Sequence, residues 1–331
     1  MMIINEPKKR LTDEAIKNIP EPTKDKIKSI IENATVLLSG DGFTGSGVLL
    51  YSQGNTYYVL TAAHNILISA KGRNIVPSLD VAKLINNKDN TEKLFSNFKE
   101  RCCVKFNVGD SRIMTETEFV NPKIISARLV DKWDTDLCLL KFDSGEFRKP
   151  QRTLWGELTQ DGLKEKLNKQ NEFLSVLNDK VYEKKDKNPK YVFIQAGYGM
   201  LVRGSAENYI GTLNNLKYRV VDFIRNSQTE KFDIGPYGVK IDDSTCLYNN
   251  VLLFASDKDD TSMPGDSGGP VYGVELYNDD PKPLIYLVGI TLGSDFYKDG
   301  EVKIKDDTQE PDGYKNNAAT STQPFFDKFV Y

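Results

Sequence analysis

The chain has 331 residues, a length that at roughly 150 residues per domain allows about two folding units with cores of their own. With 39% hydrophobic and 27% charged residues, and only 24 Gly and 14 Pro, it falls outside the disordered and collagen-like classes. Its 44 Lys and Arg nearly balance 47 Asp and Glu, so a formal charge of -3 exerts no general pull toward nucleic acid or an anionic membrane, and neither is an expected partner.

From the start, Met1 to Glu14 lack the apolar core of a signal peptide, which makes a cytoplasmic location the expectation. Thr12 is a natural N-cap for a helix over Asp13 to Asn18, and Pro20 and Pro22 interrupt before a second helical stretch, Lys24 to Asn33. Residues 1–33 thus read as an N-terminal helical appendage. From Ala34 the texture changes to short β-rich runs divided by turn residues: Ala34 to Leu38, Gly47 to Tyr51, Tyr57 to Thr61, Cys103 to Val108, Lys123 to Leu129 and Leu137 to Phe142. Without strand–helix alternation, such spacing predicts an antiparallel barrel or sandwich over 34–150.

Between Leu158 and Tyr182 the pattern differs, because Leu163, Leu167, Leu174, Leu177 and Val181 recur at steps of three, four and seven among polar residues. The spacing predicts an amphipathic helix inside a linker insertion at 151–190. A second β-rich region, 191–331, follows with runs at Tyr191 to Ala196, Lys217 to Ile224, Asn250 to Ala255, Pro270 to Leu276 and Leu284 to Leu292, closing in a short helix over Thr322 to Tyr331. No apolar run approaches the ~20 residues of a membrane span.

Four cysteines, Cys102, Cys103, Cys138 and Cys246, are too few for a disulfide framework in a chain this long, and adjacent Cys102 and Cys103 lack zinc-knuckle spacing. A reducing compartment fits. One histidine, His64, excludes any site that needs two imidazoles. No metal and no organic cofactor is expected; the glycine trio Gly42, Gly45 and Gly47 lacks the following helix that a nucleotide loop needs.

The densest motif is Gly265-Asp266-Ser267-Gly268-Gly269-Pro270. Gly265 permits a backbone turn that a Cβ would obstruct. GDSGGP resembles the nucleophile motif of the chymotrypsin/trypsin family of serine peptidases. Thr61-Ala62-Ala63-His64 is similar to that family's histidine segment, and Asp136 in Asp134-Thr135-Asp136-Leu137-Cys138-Leu139-Leu140 to its aspartate turn. The order His, Asp, Ser matches as well. Asp134 competes for the acid role, but Asp136 directly precedes the apolar strand.

The resemblance implies an all-β fold with helical insertions, two antiparallel six-stranded β-barrels, and a serine endopeptidase acting on polypeptides. It also implies catalytic His64, Asp136 and Ser267, an oxyanion hole at Gly265 and Ser267, and substrate contacts from Thr261, Thr291, Leu292 and Gly293, with Thr291 also orienting Asp136. Phe43-Thr44-Gly45-Ser46-Gly47-Val48 and Ile194-Gln195-Ala196-Gly197-Tyr198-Gly199 are weaker echoes of the family's strands.

Three departures shape the expectations. Asn65 and Met263 stand where the family carries cysteines, so its disulfides are missing. No activation motif precedes Ala34, so Asp266, whose family counterpart pairs with a newly cut N-terminus, needs another partner. Thr261 occupies the specificity position, with Asp259 and Asp260 nearby. The enzyme is then either constitutively ordered or switched by a regulatory partner acting on the insertions or the N-terminal segment. The rival readings are a catalytically silent pseudoprotease serving as a binding module, and a narrow esterase.

Overall fold

A computed structural model describes residues 21–40, 43–65, 103–105, 119–120, 123–129, 136–143, 153–179, 191–199, 216–223, 232, 234–241, 244–255, 262, 265–275, 284–293, 297–298 and 317–322. Within these the protein is mostly β, with two longer helices, and every pairing between strands is antiparallel.

The first helix, α1 (Glu21–Ala34), begins before Pro22 rather than after it. A first-turn proline is tolerated because its missing N–H would have had no partner within the helix. Ile27, Ile31 and Ala34, spaced four and three apart, form its buried stripe. The sheet that follows comprises β1 (Thr35–Gly40), β2 (Phe43–Gln53), β3 (Thr56–Thr61), β4 (Cys103–Lys105), β5 (Phe119–Val120), β6 (Lys123–Leu129) and β7 (Cys138–Asp143), in the order β5-β4-β1-β2-β3-β7-β6. Aromatic and β-branched residues suit β3 to a pleated, largely buried surface.

Residues 153–158 lie along β2, with Leu154 N–H donating to Leu49 O (2.9 Å), Trp155 N–H to Leu50 O (2.8 Å) and Leu158 N–H to Ser52 O (2.9 Å). They lead into α2 (Gln160–Asp179), where the Thr159 hydroxyl caps the first turn by accepting the Gly162 N–H at 3.2 Å. Leu163, Leu167 and Leu174 are buried as the periodicity predicts; Phe173 is buried too and stacks on Tyr286 with centroids 3.7 Å apart. Gln170 behaves like a short piece of strand: its amide accepts from Leu287 N–H (3.1 Å) and donates to Leu287 O (2.8 Å). The α2 region is thereby tied to both sheets.

The second sheet contains β8 (Tyr191–Gly197), β9 (Lys217–Phe223), β10 (Ile234–Ile241), β11 (Ser244–Ala255), β12 (Pro270–Glu275), β13 (Leu284–Gly293), β14 (Tyr297–Lys298) and β15 (Asn317–Ser321). Their order is β14-β10-β11-β15-β13-β12-β8-β9, and β9 also pairs with β11 through Phe254↔Phe223 and Ala255↔Asp222. One hydrophobic cluster runs from α1 through both sheets and α2. Where the sheets meet, the Thr35 hydroxyl bonds the Tyr272 hydroxyl (3.0 Å) and the Tyr198 hydroxyl donates to Thr35 O (3.3 Å). The expected helices over Asp13 to Asn18 and Thr322 to Tyr331 lie outside the described residues, apart from Thr322, which sits in a bend. Among the described residues no helix is long and apolar enough to cross a membrane.

Candidate active site

Register brings Asp136 and His64 together. β3 and β7 run antiparallel with Thr61 opposite Cys138, so the chain leaving β3 and the chain entering β7 emerge at the same sheet end. His64 lies three residues beyond Thr61, and Asp136 lies two before Cys138. The carboxylate grips His64 at two points: Oδ1 accepts the backbone N–H at 2.8 Å, and Oδ2 lies 2.5 Å from the ring Nδ1. The Asp136 side chain is 5% exposed while the imidazole keeps 21% of its surface open. With Nδ1–H committed to the carboxylate, the Nε2 lone pair is left to accept a proton. Burial alone would push the imidazole pKa down. The Asp136 carboxylate, by its charge and its hydrogen bond, outweighs that effect and holds the pKa above the ordinary histidine value.

Ser267 arrives on the turn ahead of β12, which pairs with both β8 and β13. Gly268 N–H donates to Thr291 O (2.8 Å) and Thr291 N–H to Gly269 O (2.7 Å), extending the β12–β13 ladder to the residue after the serine. The Ser267 hydroxyl, partly exposed, donates to Leu292 O at 3.0 Å. Among the described residues no hydrogen bond joins it to His64. Its backbone is nonetheless next to the histidine segment, since Asn65 Nδ2 donates to Ser267 O at 2.9 Å.

Gly265 has φ +100°, in the region that favours glycine, and a Cβ there would sit 3.1 Å from Gly199 Cα and 3.2 Å from Tyr198 O. The Asp266 C=O accepts Gly269 N–H at 2.9 Å. Across a planar peptide the following N–H points the opposite way, so this bond aims the Ser267 N–H away from the turn's interior. The buried Asp266 carboxylate receives the Gly199 N–H on Oδ1 at 2.7 Å. It lies so close over Gly197 and Gly199 that a side chain at either would overlap it.

The remaining predicted residues fall as follows. Thr291, Leu292 and Gly293 form the end of β13, Leu292 supplying the carbonyl that holds the Ser267 hydroxyl. The Thr291 hydroxyl takes a hydrogen bond from Gln195 Nε2 (3.1 Å) rather than bonding Asp136. Thr261, Asp134, Asp259, Asp260 and Met263 lie outside the described residues. The sequence reading does not reach one polar pair: Gln195 Nε2 also donates to Ser262 Oγ at 2.9 Å, and both residues are buried. The available signal is one amide in the otherwise apolar run Tyr191 to Ala196, since a buried polar group calls for a buried partner.

No family model matches the chain, and no curated protein matches it. Among solved structures it is similar to the Rv3671c protease in its inactive form, at 11% identity and a TM-score of 0.38, covering 91% of this chain and 90% of that one. It is likewise similar to a serine-to-alanine mutant of Rv3671c from M. tuberculosis H37Rv, also inactive, at 11% identity and a TM-score of 0.37, covering 92% and 89%.

Proposed function

We propose that the chain is a serine endopeptidase that cleaves polypeptides through an acyl-enzyme, with residues 34–150 and 191–331 as two chymotrypsin-like six-stranded barrels and 151–190 as their linker. The barrel reading of the second half is supported by the β9–β11 pairing, which links β8, β9, β11, β15, β13 and β12 in a circuit. The observation that carries the functional reading is the two-point hold of Asp136 on His64, a geometry that commits Nδ1 as donor and frees Nε2 as base.

In this reading Ser267 Oγ attacks the substrate carbonyl while His64 Nε2 takes its proton. The developing oxyanion is held by the Gly265 and Ser267 N–H groups, each worth roughly 3 to 4 kcal/mol. Collapse breaks the C–N bond, and His64 returns the proton to the departing amine. A water, activated by the same imidazole, then releases the acyl group and restores Ser267. To begin, the Ser267 hydroxyl must leave Leu292 O, a change of side-chain rotamer. The Gly199 N–H gives Asp266 a donor where the processed enzymes use an ammonium, which favours a self-sufficient enzyme over one switched by a partner.

A second reading, the silent pseudoprotease, draws on that same Leu292 contact. Labelling of purified protein by a fluorophosphonate probe separates the two, with Ser267→Ala and His64→Ala as controls. Wild-type labelling absent from both variants supports the peptidase. An unlabelled wild type favours the binding module.

A further inference from the structure

We propose that Ser46 is a positioning residue for oxyanion binding: from the first sheet it sets the Gly265–Ser267 turn carried by the second, with Asn65 as its companion. The proposal rests on the serine-hydrolase reading and names which residues organise that site. Ser46 lies between Gly45 and Gly47 in β2, and it is fully buried. A hydroxyl in that position is unfavourable unless hydrogen-bonded, and here it is bonded on both sides. Oγ accepts the Tyr198 N–H at 2.8 Å and donates to Gly265 O at 2.7 Å. The backbone N–H of Ser46 donates to Ser267 O at 2.8 Å, and its C=O accepts from the Thr61 hydroxyl at 2.7 Å.

One residue therefore restrains the first and last carbonyls of a three-residue turn. Holding the Gly265 carbonyl orients the peptide plane that follows Gly265, and that plane connects to the Gly265 N–H through the glycine's own torsions, with φ at +100°. Tyr198, the donor to Ser46, precedes Gly199, the donor to Asp266, so the end of β8 reaches the turn by two adjacent amides. Asn65 completes the restraint. Its Nδ2 reaches Ser267 O at 2.9 Å and Thr61 Oγ1 at 3.0 Å, which fixes the residue after the general base to the backbone of the nucleophile. Neither side chain touches the reacting atoms; both hold the peptide planes that flank the one carrying the Ser267 N–H.

The test compares full-length wild type with Ser46→Ala, Ser46→Cys and Asn65→Asp. Ser46→Cys places a slightly larger atom and a weaker donor at the same position, and Asn65→Asp replaces the donor facing Ser267 O with an acceptor. Three quantities are read: the maximal rate and half-saturation of fluorophosphonate labelling, its pH profile, and amide hydrogen exchange of the peptide spanning 265–269. For Ser46→Ala the maximal labelling rate should fall by about 10- to 100-fold, the scale of a displaced oxyanion donor. Half-saturation and the acid limb set by His64 should stay as in wild type, and exchange should rise at 265–269. Ser46→Cys should fall between the two, and Asn65→Asp should resemble Ser46→Ala. A Ser46→Ala protein that labels as fast as wild type overturns the proposal. If wild type does not label, the hydrolase reading falls by itself, and exchange then decides: unchanged protection at 265–269 in Ser46→Ala and Asn65→Asp overturns the clamp as well.

Discussion

Gly156 and Gly268 both have φ +85°, so alanine at either incurs the same backbone strain, about 1–2 kcal/mol for a left-handed residue. Their surroundings differ. A Cβ on Gly156 meets nothing within 4 Å, whereas one on Gly268 would overlap Ser46 O and Thr61 Oγ1 and lie 2.6 Å from Asn65 Nδ2. Ser46 O is backbone and Thr61 Oγ1 is held by two hydrogen bonds, so relief requires moving the segment that carries Ser267 away from β2. That motion breaks the hydrogen bonds of Ser46 N–H and Asn65 Nδ2 to Ser267 O, each worth about 0.5–1.5 kcal/mol net. Gly156→Ala should therefore lose about 1–2 kcal/mol and Gly268→Ala about 2–5 kcal/mol. At ~2–4 °C per kcal/mol the thermal midpoints should fall by about 2–8 °C and about 4–20 °C respectively. Labelling at a temperature well below both midpoints should be unchanged in Gly156→Ala and about 10²-fold slower in Gly268→Ala. Equal midpoints together with wild-type labelling of Gly268→Ala would refute the close packing of the turn against β2 and the argument built on it.

The acid limb of the labelling rate should lie above the ~6.5 of an unperturbed histidine, and Asp136→Asn should move it down, because burial then acts on the imidazole unopposed. Because the folded-state value is the higher one, His64 stabilises the fold fully below the unfolded value, and that contribution fades as pH rises through the folded one; urea midpoints against pH would check the sign. Gly199→Ala should expel the Asp266 carboxylate from its cradle and slow labelling more than it lowers the thermal midpoint; normal labelling would remove Asp266 from any role in shaping the turn. Gln170→Leu leaves the Leu287 N–H without its acceptor, at about 1–3 kcal/mol, and should lower the thermal midpoint while leaving the labelling rate intact.

Strands with strong alternation or apolar character are legible in the residues themselves. The run Tyr57 to Thr61 falls within β3, Leu137 to Phe142 overlaps β7, and Tyr191 to Ala196 lies within β8. By contrast β10, with two glycines and a proline, and β15, Asn317–Ser321, carry little strand signal of their own. Each is held by partners: β10 by β11 and β14, and β15 by β11 and β13. Phe173 escapes the leucine periodicity of α2, since rings of the second sheet, Tyr286 stacked on it and Tyr191 edge-on, make its position part of the core.

The amino-acid sequence alone determined the inventory of chemistry: a single imidazole, one serine set among glycines that permit its turn, and an aspartate at the mouth of an apolar strand. Those are properties of residue type and near neighbours, which local sequence contains. Only the tertiary structure decided which groups hold them in place. Ser46, Asn65 and Gly199 reach the 265–267 turn from positions 219, 202 and 67 residues away in the contacts they make, and Gln195 reaches Ser262 across 67. A hydrogen bond between such distant positions leaves no periodicity to read. It exists because two sheets, each arranged by its own hydrophobic pattern, meet at a buried seam where every polar atom must find a partner.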